Sequence, residues 1–318
     1  MTLDDPNVGG PTPTPWISVV IPARNAAATI GRTLGSLVGE RDLITEILIV
    51  DDGSNDRTGA IARDRGRELQ LPVEVIPVTL ENAGAARNVG IKRSRGDLLF
   101  LIDADDELIP GGLAVLARNL RSRPDADLAV GGYIRRIEGA ADKQRMPRPF
   151  QENSRRNAHD YLTNRQRSIA MGSALVRRRA VPEAAFPESV AFDEDTLFWA
   201  AILSSARVVT VDSPVLLYNA DAGRMERRFI ASPHRDYMDI CRELDKLARY
   251  GIDARILDWR KDWLAWRVIR ALIRQGQYAE ASDFMRLVRA DDRRIRYQAK
   301  GLWYWAKIRL GVAWRRPV

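Results

Sequence analysis

Leu98-Leu-Phe-Leu-Ile102 runs without a break into Asp103-Ala104-Asp105-Asp106. An uninterrupted apolar run bounded by charge reads as a strand buried on both faces, the situation of strands in a parallel sheet. Carboxylates packed this tightly repel one another and are costly to strip of water. A chain that sets them at the carboxyl end of a buried strand has a use for them, most simply to hold a hard divalent cation through oxygen ligands. That edge of an open α/β sheet is also where ligands bind.

The surrounding sequence alternates in the same rhythm. Ile17–Pro22, Glu46–Val50, Val73–Val78 and Asp127–Ile137 read as further strands. Helical patterns over 26–38, 83–95 and 113–121 lie between them, with another to about Arg65 that Ser54 or Asn55 would cap. Residues 138–168 are polar and basic and read as a long loop with a short helix, the kind of insertion that serves function. An apolar segment over 169–177, a helix over 193–203 and one or two strands over 208–219 follow. Helical periodicity then takes over at 235–250, 254–274, 278–289 and 293–314. The expectation is an α/β fold, a mostly parallel sheet flanked by helices, with a C-terminal α-helical region. Residues 1–15 read as a disordered tail, 16–228 as a catalytic domain and 229–318 as the helical region.

The net charge is +8, and all of it sits at one end. Residues 293–318 carry eight basic side chains and no acid, leaving residues 1–292 formally neutral. With Trp303, Trp305 and Trp314 among its basic residues, the last helix fits two roles. It is a peripheral contact with an anionic membrane surface, or a helix packed by its tryptophan face. A third role, binding nucleic acid, is not expected, because these charges lie outside the α/β core and no RNA- or DNA-binding module is evident. A single cysteine, Cys241, allows no internal disulfide and fits a reducing compartment. Residues 1–15 lack a secretion signal, and no apolar run approaches the ~18 residues of a membrane span. The expected location is the cytoplasm, at the inner face of the cytoplasmic membrane where the last helix holds it.

Three other stretches carry chemistry. Asp51-Asp52 also follows a buried strand and precedes Gly53-Ser54, so Asp52 suits either hydrogen bonding to a ligand or helix capping. In Asn82-Ala-Gly-Ala-Ala-Arg-Asn-Val-Gly90, small residues such as Gly84 let the backbone approach a ligand or another element. Arg87 there suits a diphosphate, a carboxylate, or pairing with a sheet-end Asp. Asp193-Glu194-Asp195 opens a helix, where the helix dipole favours acids on its own account. His159 and His234 fit no metal-ligand spacing, His234 being at most a weak third metal ligand.

Taken together these stretches resemble the family 2 glycosyltransferases, which have the GT-A fold. The resemblance runs through Ser18-Val-Val-Ile-Pro-Ala-Arg-Asn25, Val50-Asp-Asp-Gly-Ser54, Asn82 to Gly90 with Arg87, Phe100-Leu-Ile-Asp-Ala-Asp-Asp106 and Asp193-Glu-Asp-Thr-Leu-Phe198. It implies an inverting hexosyltransferase of the bacterial cell-envelope or exopolysaccharide type. The donor would be a nucleotide-diphosphate sugar, with UDP favoured, and the acceptor a lipid-linked or cell-envelope glycan. By the same resemblance, Pro22, Ala23, Arg24, Asn25, Asp52, Gly84, Arg87, Asp103 and Ala104 would contact the nucleotide sugar. Asp105 and Asp103 would hold Mn²⁺ or Mg²⁺, and Asp195, with Glu194 beside it, would be the general base.

Two other classes compete. A sugar-phosphate nucleotidylyltransferase would want a Gly-rich, Arg- and Lys-bearing loop after the first strand, where this chain has Pro22-Ala-Arg-Asn25. A non-catalytic glycan-binding scaffold would not need the intact Asp52, Asp103, Asp105 and Asp195. The Gln-x-x-Arg-Trp signature of processive synthases is missing from the sequence, which favours transfer of a single sugar.

Overall fold

A computed structural model describes residues 17–190, 192–220 and 231–291. The expected tail over 1–15, the 228/229 boundary and the basic helix over 293–314 lie outside these residues.

The first half is an α/β unit, β1 (Ile17–Ala23), α1 (Ile30–Ser36), β2 (Ile44–Asp52), α2 (Thr58–Glu68), β3 (Val73–Val78), α3 (Ala83–Arg93) and β4 (Leu98–Leu101). The strands pair in parallel in the order β3-β2-β1-β4. The apolar runs of β1, β2 and β4 are buried as their sequences require. α3 can lie close on this sheet because it is made of small residues. A Cβ on Gly90 would come within 2.3 Å of Val20 Cγ1, so glycine sets the separation of α3 from β1.

The second half comprises β5 (Glu107–Leu108), α4 (Gly112–Ser122), β6 (Leu128–Arg136), β7 (Lys143–Arg145), α5 (Ser154–Leu162), β8 (Ala174–Arg177), α6 (Glu194–Leu203) and β9 (Val208–Asn219). Here the sheet becomes mixed. β8 runs antiparallel between β4 and β6, β6 and β9 are parallel, and β5 and β7 are short antiparallel additions. The parallel expectation therefore holds for β3-β2-β1-β4 and for the β6–β9 pair, and it is β8 that breaks it. β8 starts at the carboxyl edge and runs back, with no crossover to return the chain to the other end first.

Among the described residues three α-helices follow: α7 (Pro233–Lys246), α8 (Ala254–Arg274) and α9 (Tyr278–Asp291). The buried stripe of α8, with Leu257, Leu264, Val268 and Leu272, joins one hydrophobic cluster with Val20, Leu99, Leu128 and the apolar face of α6. The helical region and the sheet thus share a core. No helix among the described residues is long and apolar enough to cross a membrane.

Two local expectations change. α1 starts at Ile30, because Asn25 takes a left-handed φ of 51° and the turn after it uses the Ala26 carbonyl. α2 is not capped by Ser54 or Asn55. Asp56 accepts the Thr58 N–H, while the Ser54 hydroxyl accepts the Asn25 N–H across the loop.

Candidate active site

The strand order makes β1 the switch point, with β2 on one side and β4 on the other. In open α/β sheets the crevice outside such a point is the ligand site. A cavity of about 1430 Å³ opens there. Pro22, Ala23, Arg24 and Asn25 line it from the end of β1, Asp52 from β2, and Asp103, Ala104 and Asp105 from β4. Arg87 on α3 and Glu194 and Asp195 on α6 complete the set expected from sequence. Gly84 does not line this cavity. A side chain there would meet the Pro187 carbonyl at 3.1 Å and Phe186 Cβ at 3.2 Å, so its smallness admits another segment of chain, not the contents of the main cleft.

The acidic turn after β4 is braced from several sides. Thr33 on α1 donates its hydroxyl to the Ala104 carbonyl at 2.9 Å. The Asn219 backbone N–H donates to Asp106 Oδ1 at 2.8 Å, and its side-chain amide donates to the Asp105 carbonyl. Asp106 is fully buried. Carboxylate oxygens of Asp103, Asp105 and Asp106 all lie within 4.8 Å of one another. Burial and the charges of Asp106 and Asp103 push the Tyr218 phenol above its ordinary range, an aromatic neighbour that the sequence did not reveal.

Arg87 is the hinge of the charge arrangement. It is buried, and its two terminal nitrogens donate to Asp103 Oδ1 at 2.7 Å and Glu194 Oε1 at 3.0 Å. Burial works against its charge, but the two carboxylates outweigh burial and raise its pKa above the ordinary value. One guanidinium thus ties the end of β4 to the start of α6. Asp52, which also lines the cavity, braces a turn: its two oxygens accept the backbone N–H groups of Leu80, Glu81 and Asn82 at 2.5–2.9 Å. It holds the turn that carries Asn82, whose side chain caps α3 through the Ala85 N–H.

α6 opens with three acids in different surroundings. Asp193 sits at a left-handed φ of 65°, accepts the Thr196 hydroxyl and is gripped by Arg260 of α8 at 2.7 Å. Arg260 is itself buried and also reaches Asn164 and Thr196. Glu194 is held by Arg87. Asp195 accepts the Thr196 N–H at 2.7 Å and makes no ion pair among the described residues. Burial, with Glu194 and Asp193 adjoining, pushes its carboxyl from the ordinary 3.8 up to about 7, against the pull of Arg87 and the Thr196 N–H. A carboxyl poised near neutrality at a cavity wall suits general-base work. Arg260 escaped the sequence reading, since nothing local distinguishes one arginine of an amphipathic helix.

The histidines stay outside this chemistry. His234 packs edge-on against Phe284, and His159 accepts the Asp253 N–H at 3.4 Å.

The cavity at the strand ends, the acidic turn beside it and the separate carboxyl of raised pKa sit in a fold of the GT-A architecture. The family model described as Glycosyl transferase family 2 matches residues 18–184, and the chain belongs to that family and is a glycosyltransferase. It is 25% identical over 255 residues to glycosyltransferase GlyG of Streptococcus pneumoniae, covering 76% of this chain and 83% of that one. It is 26% identical over 261 residues to succinoglycan biosynthesis protein ExoO of Rhizobium meliloti, covering 75% and 70%. Its fold resembles that of S. aureus TarS 1–349 in complex with UDP-GlcNAc, with TM-score 0.60, 20% identity and 84% and 80% coverage. Mannosyltransferase PcManGT from Pyrobaculum calidifontis, in complex with GDP-Man and Mn²⁺, gives TM-score 0.54 at 18% identity, covering 97% and 90%.

Proposed function

We propose that this glycosyltransferase moves one hexose, with inversion, from a nucleotide-diphosphate sugar to a hydroxyl of a lipid-linked or cell-envelope glycan. The observation that carries this reading is the separation of roles among the acids. Asp103 and Glu194 are neutralised by Arg87 and Asp193 by Arg260, while Asp195 stands at the same cavity with its carboxyl near 7.

The clustered carboxylates of Asp103, Asp105 and Asp106 fit a divalent cation, a hard-oxygen donor set whose spacing suits a single ion. Asp105 and Asp103 would hold it, with Asp106 bracing the turn. Mn²⁺ or Mg²⁺ bound there would supply charge neutralisation for the departing diphosphate. The protein's own residues supply the rest. Pro22 to Asn25 give the nucleotide a backbone wall at the end of β1, and Asp52 shapes the adjoining turn. Asp195 takes the proton from the acceptor hydroxyl as that oxygen attacks the anomeric carbon, and α6 fixes where it stands. Attack opposite the leaving diphosphate inverts the centre, which requires the base and the acidic turn to be distinct, as they are.

The UDP-GlcNAc complex of TarS and the GDP-Man and Mn²⁺ complex of PcManGT support the donor class and the metal, and the name of ExoO supports a polysaccharide product. UDP is the favoured nucleotide of the donor. The proposed place of work is the cytoplasmic face of the membrane. Nucleotide release from UDP-, GDP- and dTDP-sugars with Mn²⁺, with and without chelator, tests the reading. Turnover that survives chelation refutes the metal assignment; release from none of the sugars refutes the donor class.

A further inference from the structure

The strand ends account for one wall of the cavity and leave the other without a role. The rest of the lining is strongly cationic and comes mainly from two parts of the chain. α8 presents Arg267, Arg270 and Arg274 to the cavity. They continue, at three- and four-residue spacing, a stripe that starts with Arg260 and Trp263, so all lie on one helical face. Trp263 stacks against the guanidinia of Arg260 and Arg267, with ring centroid distances of 4.3 and 4.7 Å. The β6–β7 hairpin and the residues after it add Arg135, Arg145 and Arg148.

The acids of the cavity do not balance this wall. Glu81 is paired with Arg24, Asp103 and Glu194 with Arg87, and Asp193 with Arg260. Among the described residues, Arg135, Arg145, Arg148 and Arg270 form no ion pair, and Arg270 spends its Nε–H on the Trp266 carbonyl of its own helix. Burial pulls the Arg267 guanidinium below its ordinary pKa, with Arg260 and Arg270 adding like-charge repulsion against the pull of Asp193. Fixed positive charge crowded at a cavity wall favours an anion, and the planar guanidinium fork matches phosphate oxygens.

Resting on the transfer reaction proposed above, we infer that the arginine wall is the acceptor subsite and that the acceptor is phosphorylated. Its phosphate monoester, phosphodiester or diphosphate sits on Arg135, Arg145, Arg148 and Arg270, and its hydroxyl faces Asp195. The same chemistry is offered by a lipid-borne diphosphate and by a soluble sugar or polyol phosphate.

Calorimetric titration of the full chain with inorganic pyrophosphate in EDTA tests this, because without a divalent cation pyrophosphate has no purchase on the aspartates. Wild type should bind, more weakly as salt rises. R145Q/R148Q/R270Q should lose about tenfold or more in affinity, the scale of one or two charge-assisted bonds. R118Q/R121Q, on the outer surface of α4, should bind like wild type. No binding by wild type, or equal binding by the wall variant, overturns the inference. Should the triple variant fail to fold, R148Q alone at its exposed site gives the same reading, with a loss of a few-fold. UDP titrated with Mn²⁺ reads the donor site separately: failure there with intact pyrophosphate binding counts against the donor reading, not the wall. Flotation with phosphatidylcholine vesicles containing a polyprenyl diphosphate separates the sources. Wall-dependent capture marks a lipid-borne acceptor, and pyrophosphate binding without capture marks a soluble one; both outcomes support the phosphorylated class.

Discussion

Asp195→Asn separates what the base does for catalysis from what it does to stability. In the folded chain this carboxyl titrates near 7, against 3.8 ordinarily. An acid whose folded pKa is raised keeps a proton that the unfolded chain has already released. Native stability therefore falls as pH rises from about 4 to about 7, and the loss is complete above 7. Three pKa units correspond to about 4 kcal/mol at most, and relaxation around a wall residue reduces this, so about 1–3 kcal/mol is the expected range. Asparagine has the same shape, its amide oxygen can keep the Thr196 N–H bond, and it carries no charge to desolvate. Urea unfolding of both proteins at pH 4 and pH 8 reads the effect. The two midpoints should nearly coincide at pH 4, and the variant should be the more stable at pH 8. Transfer should fall by about 10²–10⁴, the usual contribution of a general base, with nucleotide binding retained. Wild-type transfer should climb with pH through about 7 as Asp195 ionises, and the variant's residual rate should lack that limb. A variant no more stable at pH 8 than wild type refutes the desolvated carboxyl; wild-type-like transfer refutes the base.

Other perturbations read the scaffold. Arg260→Leu strands the largely buried Asp193 carboxylate and should cost about 3–5 kcal/mol in urea unfolding, with Arg260→Lys recovering part of it. Gly90→Ala should cost about 1–3 kcal/mol, because a methyl group 2.3 Å from Val20 Cγ1 forces α3 off the sheet; an unchanged midpoint would contradict that contact. Asp105→Asn should raise the Mn²⁺ concentration needed for half-maximal nucleotide release by about tenfold or more, checked by titrating metal into chelator-treated protein.

What the sequence made legible follows from how local each cause is. The burial of β1, β2 and β4 and the periods of α7 to α9 are written in consecutive residues, so both were readable. The acidic turn Asp103 to Asp106 was legible as a cluster, but the tie of Asp106 to the Asn219 N–H was not, because the two lie 113 positions apart. β5 and β7 are two and three residues long and rich in charge, and only backbone pairing with β9 and β6 makes them strands. The part of Asp52 as clasp of the 80–82 turn, and the grip of Arg260 on Asp193 across 67 positions, depend on tertiary placement that no local pattern encodes. The basic stretch 138–168 was marked as functional, but its alignment with the stripe of α8 appears only when both face one cavity.

The arginines decide which acids are available for chemistry. An uncompensated cluster of carboxylates would raise all their pKa values together and blur the distinction between a metal ligand and a base. Arg87 prevents this at the β4–α6 junction by taking one acid from each side, Asp103 and Glu194, at 2.7 and 3.0 Å. Arg260 removes Asp193 from the same competition. Asp195 is then left as the acid whose surroundings disfavour its charge, while Asp105 stays in a turn whose remaining carboxylates are paired or braced. Replacing Arg87 should therefore disturb both roles together, shifting the metal requirement and the pH profile at once, whereas Arg260→Lys should move the pH profile alone. Measuring both dependences in the two variants tests that division, and identical behaviour of the pair would refute it.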